Sequence, residues 1–231
     1  MPTHKEVYEG HAAQYEALVS REDHEGNILK TIESIGPIAN QDVIDLGAGT
    51  GRLAGLLAPQ ARSVLAFDLS PHMLTVARDK LRGGDVPVQR LAAAADHRYL
   101  PLAAGTADVV VSGWSVSYVA IWHPETWRVE ADAWLAEAAR VLRKGGRVIL
   151  FESLGTGNEQ PVRLAHLENF YDWLDEQEFS KTWIRTDYRF ETEEIADQLS
   201  GFFFGEEMKS KINRGTSITL PECTGVWWRT L

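Results

Sequence analysis

The sequence predicts an α/β fold, a parallel sheet with helices packed on both faces. Three observations carry that expectation. Short apolar runs at 43–46, 64–67, 109–111 and 148–151 alternate with stretches of helical periodicity. After the first run stand Gly47, Gly49 and Gly51, a turn whose residues tolerate positive φ and let a ligand approach bare backbone. The chain, at 231 residues, is also long enough to bury a full core as one domain.

Composition excludes several classes of function. Lys and Arg number 23 against 33 Asp and Glu, a net charge of −10. A protein that tracks a phosphate backbone draws its affinity from clustered cations, so no nucleic-acid partner is expected. The lone cysteine, Cys223, leaves no disulfide framework and no cysteine-rich metal site, and reads as a buried thiol. The first residues carry no apolar leader and no 18-residue apolar run follows, so a soluble, cytoplasmic protein without a membrane partner is expected.

In chain order, Val7, Tyr8, Ala12, Tyr15, Leu18 and Val19, then Ile28, Leu29, Ile32 and Ile35, fall at helical spacing and predict two helices broken near 22–26. Gly36-Pro37 ends the second. The strand Val43–Leu46, its acid Asp45 and the glycine turn follow, with a helix over 52–58 whose unpaired amides suit an anion. The strand 63–68 ends in Asp68, about 20 residues past the glycines, where a carboxylate reaches ribose hydroxyls. Asp68 alternatively caps the next helix, where Ser70 is the expected N-cap and Pro71 the first residue.

A third strand is expected over 86–91, with Pro87 suited to an edge. Asp108 marks the entry to the apolar strand 109–112, which delivers 113–118 to the carboxyl edge, where ligands bind in open α/β sheets. A helix over 125–142 carries Trp127 and Trp134 on its core stripe and is closed by 143–146, ahead of a strand over 147–152. Further on, a helix over 165–177, a strand over 183–190, a helix over 191–204 and a last strand over 225–230 are expected, with Phe202, Phe203 and Phe204 in the core.

Two parses of the glycine turn compete. Gly49-Thr50-Gly51-Arg52-Leu53-Ala54 matches a dinucleotide fingerprint, G-x-G-x-x-A, and with Asp68 supports a nicotinamide-dependent oxidoreductase. The other, D-x-G-x-G-x-G from Asp45, also accounts for the acid on the strand. A ligand with an ammonium and a sulfonium suits that acid; a pyrophosphate does not.

The second parse, with Asp68, Asp96 four residues ahead of Leu100-Pro101, Asp108, and the run Leu142-Arg143-Lys144-Gly145-Gly146-Arg147, resembles the ordered motifs of class I S-adenosylmethionine (SAM)-dependent methyltransferases. The kind is type 11, UbiE-like and small-molecule, and the likeness spans about residues 40–152. It implies a Rossmann-like, doubly wound, seven-stranded sheet, mostly parallel with one antiparallel strand, helices on both faces and an N-terminal helical lid. The implied division is a lid over 1–36 and a methyltransferase domain over 37–231, with a SAM-binding core over 40–152 and a substrate-side segment over 153–231.

The resemblance also implies site residues. Tyr15 is placed at the SAM carboxylate or, alternatively, only packs its helix. Asp45, Gly47, Ala48, Gly49 and Ser112 line the cofactor, Asp68 takes the ribose, Leu69 and Met73 flank the adenine, Asp96 meets its amino group and His97 its ring. Trp114 and Tyr118 would hold the acceptor. His123 and Glu152 are the candidate bases for an in-line displacement that leaves S-adenosylhomocysteine; otherwise they cap a helix and pair with an arginine. No metal is expected. Ser112-Gly113-Trp114-Ser115 replaces the Asn/Asp-Pro-Pro-aromatic tetrad of enzymes that methylate bases or glutamine, which leaves a small-molecule acceptor. A SAM-binding protein without catalysis is the remaining alternative.

Overall fold

β1 (Asp42–Leu46) sits at the centre of the fold in a computed structural model that describes residues 4–82 and 89–231. Four of its five residues are buried, the pattern of a strand covered on both faces. It pairs in parallel with β2 (Ser63–Asp68) on one side and β4 (Ala107–Gly113) on the other. β2 pairs onward with β3 (Gln89–Ala94), and β4 with β5 (Leu142–Thr156), again in parallel. β10 (Glu222–Thr230) then runs antiparallel between β5 and β6 (Ser180–Arg185). Among the described residues the sheet has seven strands in the order β3-β2-β1-β4-β5-β10-β6, the doubly wound, Rossmann-like arrangement expected.

Alternation along the strands divides the core into two layers. Ile44, Leu46, Val110, Val148 and Leu150 face α7 (Trp127–Val141) and α8 (Glu168–Glu176), where Trp134, Ala138, Phe170 and Trp173 are fully buried. Val43, Val64, Val109, Val111 and Ile149 face α3 (Asn27–Ile35), α4 (Arg52–Leu57) and α5 (Pro71–Arg82). Asp108 accepts the Asp42 amide and pairs with Arg143, pinning the entries of β1, β4 and β5 together.

A third cluster lies apart from the sheet. Val7 of α1 (His4–Gly10) and Leu18 of α2 (Ala12–Val19) pack with Phe203 of α9 (Glu193–Phe204) and with Tyr188 and Phe190 of β7 (Tyr188–Phe190). β7 belongs to a small antiparallel sheet with β9 (Ile218–Leu220) and β8 (Asn213–Arg214), in the order β7-β9-β8.

The structure corrects several boundaries. The N-terminal segment folds as three helices, because the chain also leaves helical geometry at His11. The strand expected over 183–190 divides in two: Arg185 grips Asp187, and Thr186 donates its amide to the Glu222 carbonyl, so the chain leaves the large sheet at that point. α6 (Tyr118–Trp122) and the three-stranded sheet were not expected. β3 extends to Ala94, and Val86, Pro87 and Val88 of the expected third strand lie outside the described residues. No helix among the described residues is long and apolar enough to cross a membrane.

Candidate functional site

The strand order reverses between β1 and β4, and a cavity of about 490 Å³ opens at their carboxyl ends. That volume falls within the range of small-ligand pockets, roughly 300–1,000 Å³. The glycine turn forms its floor. Gly47 has φ +71, and a Cβ there would stand 1.7 Å from the Ser115 Oγ, so both conformation and space demand glycine. Gly49 has φ +54 but meets only ordinary contacts, so conformation alone selects it. The amides of Gly47 and Ala48 both donate to the Phe67 carbonyl, which seats the turn on β2.

Asp68 stands at the end of β2 on the cavity wall. One of its oxygens accepts the Gly49 amide at 2.8 Å and the other the Ser70 amide at 2.7 Å. Burial pushes its pKa up against those two bonds. Ser70 caps α5 as expected, its Oγ accepting the Met73 amide at 3.3 Å. Asp45, on the same wall, accepts the Ala54 amide at 2.9 Å and forms no ion pair among the described residues. Burial, reinforced by the charge of Asp68, pushes it up to about 7.

The remaining wall is aromatic. Tyr15 packs edge-on against Tyr8 at 5.7 Å and lies over Gly49. Tyr8 donates its hydroxyl to Tyr118 at 2.9 Å, and Tyr118 stacks on Trp122 at 4.7 Å. Trp114, held at φ +49 with its amide donated to the Phe151 carbonyl, carries the Arg52 guanidinium over its ring at 4.2 Å. A bulky residue in that left-handed conformation is rare and typical of binding sites. His97 is kept neutral, its pKa pushed down to about 4 by burial.

Of the residues singled out in the sequence, the cavity brings together Tyr15, Asp45, Gly47, Ala48, Gly49, Asp68, Leu69, His97, Trp114, Tyr118 and His123. Four stand off its wall. Met73 is buried beneath the glycine turn, its Sδ-methyl 3.7 Å from where a Gly49 Cβ would lie. Ser112 donates its hydroxyl to the Leu46 carbonyl, tying β4 to β1. Asp96 is closed into a forked ion pair with Arg98. Glu152, expected as a base, is enclosed and accepts both the amide and the hydroxyl of Ser117; burial pushes it up to about 7.

Sequence reasoning missed Arg52, Arg98, Trp122 and Glu130, all on the wall. Trp122 had a signal, since it follows Tyr118 at helical spacing. Among the described residues no group of three or more His, Cys, Asp or Glu is placed to hold a metal ion.

Residues 44–150 match the profile of the family described as methyltransferase domain. A malonyl-[acyl-carrier protein] O-methyltransferase of Hahella chejuensis is 37% identical over 147 residues, which are 62% of this chain and 47% of that protein. A ubiquinone/menaquinone biosynthesis C-methyltransferase, UbiE, of Saccharophagus degradans is 31% identical over 147 residues, 62% of this chain and 53% of that protein. The chain thus spans about half the length of these curated relatives. Among solved structures, a SAM-dependent methyltransferase of Aquifex aeolicus superposes with a TM-score of 0.54 at 14% identity, covering 97% of this chain and 95% of that one. The YcgJ protein of Bacillus subtilis gives 0.59 at 15%, covering 90% and 98%. Residues 44–150 are thus similar to a methyltransferase domain, and the sheet around them has the fold of the methyltransferases of known structure.

Proposed function

We propose that the cavity binds SAM and that the protein transfers its methyl group to a small-molecule acceptor. One observation carries the reading: Asp45 and Asp68 face one cavity across the glycine turn, and among the described residues Asp45 has no cation against it. A buried carboxyl pushed up to about 7 is an incomplete ion pair, and an ammonium supplies the missing partner. A nicotinamide dinucleotide, with its anionic pyrophosphate, gains nothing from that acid.

In this reading Asp68 holds the ribose hydroxyls, Leu69 and His97 flank the adenine, Asp45 faces the ammonium and Tyr15 the carboxylate. SAM, when bound, supplies a methyl group already activated on a sulfonium, and the bond pair stays with sulfur. The chain's own residues therefore align the acceptor and exclude water, which accounts for much of the barrier reduction in such reactions. Tyr8, Trp114, Tyr118 and Trp122 form the apolar wall against which the acceptor packs. Tyr8 and Tyr15 also bring the N-terminal helices to the wall, the placement a lid requires.

Calorimetric titration with SAM, S-adenosylhomocysteine and NAD(H), repeated on Asp68→Ala, tests the proposal. Binding of both sulfur nucleosides, lost in the variant, is expected. Binding of NAD(H) alone moves the assignment to an oxidoreductase. Binding of both nucleosides with no turnover of any acceptor fits a SAM-binding protein without catalysis.

A further inference from the structure

Three segments converge at the aromatic end of the cavity: the loop after β3, the C-terminus of α6 and the first turn of α7. His123, which follows α6, has its Nδ1 at 2.7 Å from Glu130 Oε2, and both residues stand on the cavity wall. Glu130 is held in turn by the Thr126 hydroxyl at 2.7 Å and by Arg98 Nη1 at 2.6 Å. Arg98 is fixed by its fork on Asp96. Burial raises the Glu130 pKa, but the bonds from Thr126 and His123 and the charge of Arg98 outweigh it and hold the carboxyl below the usual glutamate range.

An ionised carboxylate at Nδ1 dictates the histidine tautomer. The proton sits on Nδ1, and the lone pair is left on Nε2, which has no hydrogen-bond partner among the described residues. That is the arrangement of a general base with its orienting acid. One turn away on α6, Tyr118 and Trp122 stack with an interplanar angle of 28°, and Tyr8 meets both edge-on. Flat rings of this kind favour an aromatic ligand.

Resting on the methyltransferase reading, we propose that the acceptor is a phenolic hydroxyl, that His123 Nε2 takes its proton, and that Glu130 positions His123. The chemistry selects this acceptor class. A carboxylate, a thiolate or the lone pair of an aniline attacks a sulfonium methyl group at neutral pH without help. A phenol, with a pKa near that of tyrosine at about 10, attacks efficiently only as its proton leaves. In balance, the O–H bond breaks toward His123, which becomes imidazolium; the oxygen uses its freed pair for the new O–CH₃ bond, and the S–CH₃ bond pair remains on sulfur. Asp96, expected at the adenine, serves here through Arg98. The charged and titratable groups around His123 are Glu130 from α7, and Arg98, Asp96 and His97 from the loop after β3.

Two measurements test this. Side-chain ¹⁵N spectra of the whole protein, with His123→Asn for assignment, should show His123 as the Nδ1–H tautomer, and Glu130→Ala should abolish that preference. An Nε2–H tautomer, or a tautomer preference unchanged in Glu130→Ala, overturns the positioning. Release of S-adenosylhomocysteine is then followed with SAM and three probes: phenol, a nitrophenol already ionised at the assay pH, and benzoate. His123→Asn should slow phenol about 100-fold at pH 7, with the loss shrinking as pH rises toward 10, and should slow the nitrophenol less than about threefold. Equal loss on both phenols, or turnover of benzoate but of neither phenol, overturns the assignment of base and acceptor. A protein that binds S-adenosylhomocysteine but methylates no phenol does so too, whereas one that fails to bind it overturns the reading beneath.

Discussion

Arg52 Nη1 donates to Glu22 Oε2 across 2.6 Å, joining the first residue of α4 to the segment between α2 and α3. The Glu22 side chain is 3% exposed and the Arg52 side chain 17%, so the pair is sealed between the N-terminal helices and the glycine turn. Thr186 donates to the other Glu22 oxygen at 3.0 Å and shares a 2.6 Å hydrogen bond with Thr224 of β10. One arginine thus ties the N-terminal segment, the turn and the far end of the chain.

Removing one member of that pair leaves the other charge buried and uncompensated, which typically costs about 3–5 kcal/mol. Arg52→Met and Glu22→Leu should each destabilise the protein by about 3 kcal/mol in urea titrations, and the double variant should recover most of the loss. Additive losses would show that the two side chains are not coupled.

Glu222, buried beside this network, is pushed up to about 8 by burial and by the charge of Glu22. Its folded pKa lies above its unfolded value near 4.3. Its contribution to stability is therefore fully present below pH 4 and is lost as pH rises through about 8. Glu222→Gln, which cannot ionise, should raise Tm by several degrees at pH 8.5 and change it little at pH 5. The same shift at both values would remove ionisation as the cause.

Gly47 and Gly49 separate two demands that a glycine motif usually confounds. At Gly49 only the positive φ resists a side chain, so Gly49→Ala should cost about 1–2 kcal/mol. At Gly47 the Ser115 hydroxyl also occupies the space of a Cβ. Gly47→Ala should therefore cost distinctly more, and a second change, Ser115→Gly, should return it to about the Gly49→Ala value. Chemical denaturation of the four proteins decides this.

What the sequence made legible was local. Asp45, the glycines, Asp68, Ser70 and Pro71 declare themselves because a strand, a turn and a capped helix succeed one another within 30 residues, each with its own spacing rule. The parallel sheet with helices on both faces followed from that alternation, and its seven strands with one antiparallel member from the resemblance. The Arg98, His123 and Glu130 group draws on three segments whose contact depends on how α6 and α7 cross the sheet edge, and no spacing encodes it. Asp96 is expected at the adenine amino group, but Arg98, two residues on, holds its carboxylate in a forked ion pair off the cavity wall. Strands of two and three residues, as in the β7-β9-β8 sheet, are too short for a period of two to register.

The proposed contact of Asp45 with an ammonium predicts a pH dependence of cofactor affinity with a definite sign. In the free protein burial, reinforced by the charge of Asp68, pushes its carboxyl up to about 7. An ammonium placed against it favours the ionised form, so binding below pH 7 must first remove a proton. Affinity for S-adenosylhomocysteine should be flat above about pH 8 and fall toward tenfold per unit below pH 7. Calorimetry in buffers of different ionisation enthalpy should detect the proton released at pH 6. Asp45→Asn should bind more weakly at pH 8 and lose the dependence, because an amide has no proton to give up. If the wild-type dependence persisted in the variant, the acid that meets the ammonium would be another one, and Asp68, also pushed up by burial, would be the group to examine next.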